Sequence, residues 1–231
     1  MFFPYYFDWT YIILIPAVIL SLWAQANVNG TFKKYAKVHS HRGSTGAEIA
    51  RKILDMNGLY QVQVERVAGN LSDHFDPKAN VVRLSDSTYG STSVGAIGVA
   101  AHEVGHAIQY ATGYAPIKVR NSIVPVVNIC NALSMPIILI GLLFAGAGWI
   151  DLGILLFSAT VIFQLITLPV EFNASHRAMA TLRGQHLLDE EEAKGAEKVL
   201  RAAALTYVAA AVSAILSLLR LILLFGNRRD D

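Results

Sequence analysis

Four stretches of this chain stay apolar for too long to be alternating with water. Residues 5–26, 123–147, 152–170 and 205–225 each give enough helix, at about 1.5 Å per residue, to cross about 30 Å of hydrocarbon. The first is broken only by Asp8, Thr10, Ser21 and Gln25, and it opens on Tyr5, Tyr6, Phe7, Trp9 and Tyr11, an aromatic flank suited to a membrane interface. A cleavable signal peptide competes with this reading, because Ala24, Gln25 and Ala26 resemble a small-residue cleavage site. The bulky aromatic start, with no basic residue ahead of the apolar run, favours an anchor. The second stretch contains Pro125, Pro136, Asn128 and Asn131; the two asparagines, three apart, share a helix face and predict hydrogen bonds between helices. The third, with Gln164 as its one amide, ends at Pro169, which leaves Glu171 at the membrane boundary. Arg220, near the end of the fourth, is placed to snorkel to the interface.

Between the first two stretches the pattern changes period. Thr45 and Glu48 form a capping box ahead of a helix with Ala47, Ala50, Ile53 and Leu54 on its apolar side, and Gly58 stops it. Residues 61–65 alternate as a strand does, Gly69 and Asn70 turn, and residues 81–84 make a second short strand. This predicts a small sheet edge to which an extended peptide can add as a further strand. The segment LSDHFDP, 71–77, gathers Asp73, His74 and Asp76. It reads either as a loop that binds substrate or orients a ligand, or as a turn whose aspartates cap backbone amides. Residues 189–192 and 194–201 form a charged, solvated helix face with no assigned chemistry.

Composition agrees with a multi-pass membrane protein: 54% hydrophobic and 16% charged residues, with a mean hydropathy of +0.43. A net charge of +2 argues against a nucleic-acid partner. The single cysteine, Cys130, cannot close an internal disulfide. Of 19 Lys and Arg, 11 fall in residues 27–122 and 5 in residues 171–202. By the positive-inside rule these segments are cytoplasmic; Arg228 and Arg229 dissent. The expected division is therefore spans at 5–26, 123–147, 152–170 and 205–225, a catalytic segment at 27–122 and a helical segment at 171–202.

The chemistry lies in residues 93–110, where His102, Glu103 and His106 spell HExxH in an apolar helical context. Positions four apart on a helix bring two imidazoles to one ion, and two histidines leave room for a third protein ligand and a water. Glu103 then stands beside that water as a base. The plainer reading is a helix whose histidines are satisfied by neighbouring carbonyls, although an uncompensated His-Glu-His cluster would be costly to bury. Two spans separate His106 from Glu171, so a helical hairpin returns Glu171 to the same side of the membrane and makes it available as the third ligand.

With TGAEIAR at 45–51, LSDHFDP at 71–77, VRLS at 82–85, AAHEVGHAIQ at 100–109 and LPVEFNAS at 168–175, the chain resembles the YugP-like membrane zinc metallopeptidases of bacteria, within the gluzincin group. The resemblance implies Zn2+ held by His102, His106 and Glu171, with Glu103 as catalytic base in water-mediated peptide hydrolysis. It also implies a mainly α fold: multi-pass membrane helices with a small zincin-like α+β domain at the cytoplasmic face of the bacterial cell membrane. Many gluzincins carry an aspartate four residues after the glutamate ligand; here Ser175 stands there. Ser175 and Asp73 are candidates to orient ligands from behind, and His74, His176 and Arg177 are candidates to face the oxyanion or substrate. The expected partners are a protein or peptide substrate and the lipid bilayer, with a homo-oligomer left open. An intramembrane-cleaving metalloprotease and a non-catalytic membrane scaffold or transport component are the rival classes.

Overall fold

The computed structural model describes residues 8–144 and 146–226. Tyr5, Tyr6 and Phe7, and the tail residues Arg228 and Arg229, lie outside them. A 3-10 turn, Trp9–Leu14, is capped by Asp8 and runs directly into α1, Ile15–Tyr35. This helix continues nine residues past the expected end at Ala26. Lys33 and Lys34 therefore occupy its last turn, where positive charge suits the helix dipole. Ala24 to Ala26 lie inside a continuous helix, with Ala24 1% exposed.

The capping box of α2, Gly46–Met56, forms as expected: Glu48 N–H donates to Thr45 Oγ1 at 3.2 Å, and Thr45 N–H to Glu48 Oε2 at 2.8 Å. Gly58, at φ +70°, takes the left-handed turn that ends the segment. The sheet has three strands: β1, Gln63–Val67; β2, His74–Asp76; and β3, Val81–Ser85, in the order β1-β3-β2. β1 runs parallel to β3 and β2 antiparallel to it. β2 is the middle of the LSDHFDP segment, which local pattern read as loop or turn. Three residues carry too little alternation to announce a strand, and tertiary ties hold this one. Asp76 accepts from Arg83 Nη1 at 2.8 Å, and Asp73 accepts from Ser85 N–H at 2.8 Å and Ser85 Oγ at 2.9 Å. The Arg83 guanidinium, helped by the Ala79 amide, holds the Asp76 carboxyl down at about 2.

After the short α3, Asp86–Tyr89, comes α4, Val94–Ala111, capped by Ser93 through a 3.2 Å bond from Ala96 N–H. Buried on most of its faces, α4 is the axis of a core shared with α2, the sheet and the later helices. A three-residue turn leads to α5, Ala115–Leu143, which pairs with α6, Ala147–Gly184; α7, Glu190–Gly226, packs against α6 and α1. Among the described residues, four helices are thus long and apolar enough to cross a membrane.

The helices overrun their expected limits. α5 begins at Ala115 rather than residue 123, and α6 passes through Pro169 without stopping. Val170, Ala174, Ala178 and Leu182, four apart and buried, keep α6 helical by packing beyond the apolar run. Glu171 therefore lies mid-helix rather than at a helix end. Asn128 and Asn131 are exposed on α5 and do not join the helices of this chain. Within the apolar part of the hairpin an interhelical bond runs instead from Ser134 Oγ to the Gly153 carbonyl at 2.9 Å. A Cβ on Gly153 would meet the Ser134 carbonyl at 2.9 Å, so this glycine is what lets the two backbones approach. Arg220, near the end of α7, also has partners that the sequence did not announce. It pairs with Asp8 Oδ2 at 2.6 Å and stacks over the Tyr11 ring at 3.9 Å, locking the ends of α7 and α1 together.

Candidate metal centre

On α4 the helical period stacks His102 and His106 with ring centroids 4.8 Å apart. α6 crosses beside them and presents Glu171, whose Oε2 lies 3.3 Å from His102 Nε2 and 3.6 Å from His106 Nε2. Gly105 permits the crossing: a Cβ there would stand 2.7 Å from the Ala174 carbonyl on α6. The three ligand-type atoms lie within 4.8 Å of one another, and Glu171 is 3% exposed.

The far side of each imidazole is held. His106 Nδ1 meets Gln109 Oε1 at 3.0 Å. Gln109, fully buried, spends its amide protons on the Val170 carbonyl at 2.8 Å and Asn173 Oδ1 at 3.0 Å. Its oxygen must therefore be the atom facing the imidazole, so Nδ1–H donates and the Nε2 lone pair points into the cluster. His102 Nδ1 lies 3.1 Å from Ser175 Oγ, so a neutral hydroxyl stands where the gluzincin pattern has a carboxylate. Burial works against protonation of His106, but the nearby carboxylates of Glu171 and Glu103 outweigh this and raise its pKa.

These residues fit a zinc ion. Glu171 Oε2 is buried without a hydrogen-bond partner, an arrangement that is costly unless a cation completes it. Two imidazole nitrogens and one carboxylate oxygen form a donor set that suits zinc with a position left open.

Glu103 faces a cavity of ≈ 170 Å³ that it lines together with His106, Glu171, His74, Arg120 and Tyr207. His74 Nδ1 is 2.8 Å from the Ser72 carbonyl, which can only accept, so in the neutral ring Nε2 carries no proton. Asp73 bonds Ser85 rather than a histidine of the cluster. His176 is exposed and lines a separate groove of ≈ 460 Å³ between α6 and α7. Arg177 donates to Asn173 Oδ1 at 2.8 Å and lies over the Tyr114 ring at 5.9 Å. Neither His176 nor Arg177 lines the cavity.

Arg120, Tyr207 and Gln109 are what sequence reasoning missed. Gln109, three residues after His106 on the same helix, was open to a helical-face argument. Arg120 stood near the end of the segment 27–122 with no motif around it, and Tyr207 was one hydroxyl in an apolar span. A second group, His41, Asp189 and Glu192, also comes together. Its carboxylates are engaged by backbone amides: Glu192 N–H donates to Asp189 Oδ1 at 2.8 Å and Asp189 N–H to Glu192 Oε2 at 2.9 Å. It is a helix cap.

Residues 10–226 match the family model described as "Putative neutral zinc metallopeptidase". The chain is 51% identical over 217 residues to the "Putative membrane protease YugP" of Bacillus subtilis (strain 168), covering 94% of this chain and 96% of that protein. No solved structure matches it. With a family model that spans nearly its whole length and a relative this similar, the chain belongs to the YugP-like zinc metallopeptidase family.

Proposed function

We propose that this protein is a membrane-embedded peptidase that hydrolyses peptide bonds with zinc held by His102, His106 and Glu171, and with Glu103 as general base. The observation that carries the reading is the convergence of two oriented imidazoles on a buried carboxylate oxygen with no hydrogen-bond partner, beside a second carboxylate in a cavity. Zinc in that position supplies Lewis acidity, polarising a carbonyl and bringing the pKa of a water to about 7. Glu103 accepts the proton of the attacking water and delivers it to the departing amine, so the carboxylate is regenerated each cycle. Tyr207, with a hydroxyl donor at the cavity wall, is better placed than His176 or Arg177 to face the developing oxyanion. Neutral His74 lacks the proton for this, since Nδ1–H is committed to Ser72.

The substrate is an extended peptide. β2 is an edge strand of the described sheet, and Phe75, packed on Tyr110 of α4 with centroids 6.1 Å apart, sets that strand beside the cavity. A backbone added along β2 runs past Glu103. Zinc-loaded protein in detergent should hydrolyse casein and lose that activity to a chelator. A protein that carries one zinc and cleaves no peptide would favour the scaffold reading.

The site belongs to the cytoplasmic face of the bacterial cell membrane. Supporting this, Lys34 at the end of α1 shares a surface pocket with Lys198 and Arg201, so the basic residues of both proposed cytoplasmic segments gather on one side. A cysteine replacing the exposed Lys34, in a Cys130→Ser background, should resist a membrane-impermeant thiol reagent in intact cells and react once they are opened. Ready labelling in intact cells inverts the orientation.

A further inference from the structure

Glu171 has two oxygens in different surroundings. Oε2 faces His102 and His106 with no hydrogen-bond partner, whereas Oε1 accepts from Arg120 Nη1 at 3.1 Å. Arg120 comes from α5, the other arm of the membrane hairpin, and its side chain is 27% exposed against 4% for that of Glu171. A guanidinium keeps its charge at any pH the protein meets and has no acceptor, so its partner must be an anion or a lone pair. A free carboxylate can offer a metal one oxygen or both. With Oε1 engaged by a cation from a different helix, only Oε2 remains to be offered.

We propose that Arg120 is a positioning residue that holds Glu171 as a one-oxygen ligand and so keeps coordination positions free for water and the substrate carbonyl. The inference rests on the zinc reading of the site. It also accounts for the burial of two carboxylates, Glu103 and Glu171, around one cavity: Arg120 neutralises the one that must not rotate, and Glu103 stays free to exchange a proton. α5 and α6 already pack along their length, and Ser134 and Gly153 join them far from the cavity. The hairpin therefore does not need Arg120 as a clamp.

The test uses the full chain in detergent and measures zinc affinity by chelator competition in the parent, Arg120→Met and Arg120→Lys. Partners behind a metal ligand typically set affinity by roughly 10–100-fold, and Arg120→Met should lose about that much, with Arg120→Lys intermediate. In cobalt-substituted protein, Arg120→Met should lower the visible absorption several-fold, as a second carboxylate oxygen raises the coordination number. In a Glu171→Ala background, Arg120→Met should cause no further loss, because its partner is gone. Three results would overturn the proposal: zinc affinity within twofold of the parent with an unchanged cobalt spectrum; the same loss in both backgrounds; or failure of both Arg120 variants to fold, which would make the residue a structural clamp. Equal zinc uptake by the parent and Glu171→Ala would instead remove the zinc reading itself, and this inference with it.

Discussion

Glu103→Gln should retain one zinc per chain and hydrolyse peptides roughly 10²–10⁴ times more slowly, the range that general acid–base groups supply. In transition-state terms the loss is about 3–5 kcal/mol. Glutamine keeps the size and hydrogen-bonding reach of the side chain, so the cavity wall is preserved, but it can neither accept a proton nor return one. Metal binding should not change, because Glu103 is not among the atoms that converge with Glu171. The helix period points it to the cavity beside them. The measurement pairs zinc content by elemental analysis with casein hydrolysis on the same preparation. Hydrolysis at the parent rate would place the base elsewhere, and loss of zinc would make Glu103 a ligand.

Glu171→Ala should lose zinc. The substitution takes away the one oxygen donor of the converging set and leaves two imidazoles, and it strands the Arg120 cation beside them, where it repels any cation that enters. Losing an outer partner alone costs roughly 10–100-fold in metal affinity. Losing the ligand together with its negative charge should exceed that, so occupancy after desalting should fall to a small fraction of the parent's. Stability should suffer less, because the contacts of α6 on α4 through Ala174, Ala178 and Leu182 are untouched. Thermal unfolding of the same sample separates the two effects. Full metal retention with a normal unfolding curve would take Glu171 out of the coordination sphere.

Much of this architecture follows from local rules. The period of the α-helix alone sets His102 and His106 on one face, and it does so in any fold that keeps 93–110 helical. The Thr45 and Glu48 capping box and the turn at Gly58 likewise depend on a few neighbouring residues and formed where the pattern put them. The return of Glu171 to the histidines needed one further step, an even number of spans between them. That is a count along the chain, and it too was legible.

What local pattern could not decide was which way each helix face turns. In an apolar span every face is nearly as hydrophobic as the next, so the sequence does not mark the packed side; close-fitting small residues do, once two particular helices meet. Asn128 and Asn131 were therefore assigned to an interface that Ser134 and Gly153 occupy. The partner of Arg220, Asp8, lies some two hundred residues away and could not be named from local pattern. Pro169 was read as a stop because its missing N–H is a local fact, whereas the buried ladder that carries α6 past it exists only against α4. The cavity shows the same division most sharply. The sequence alone determined two histidines one helical turn apart, a glutamate beside the first and a second glutamate that two spans return to them. Only the packing of α5 and α7 decided that Arg120 and Tyr207 complete the cavity while His176 and Arg177 do not. Helical spacing is fixed by covalent geometry and backbone hydrogen bonds within a few residues. The company a side chain keeps across four helices is set by the single packing that lets all of them approach at once.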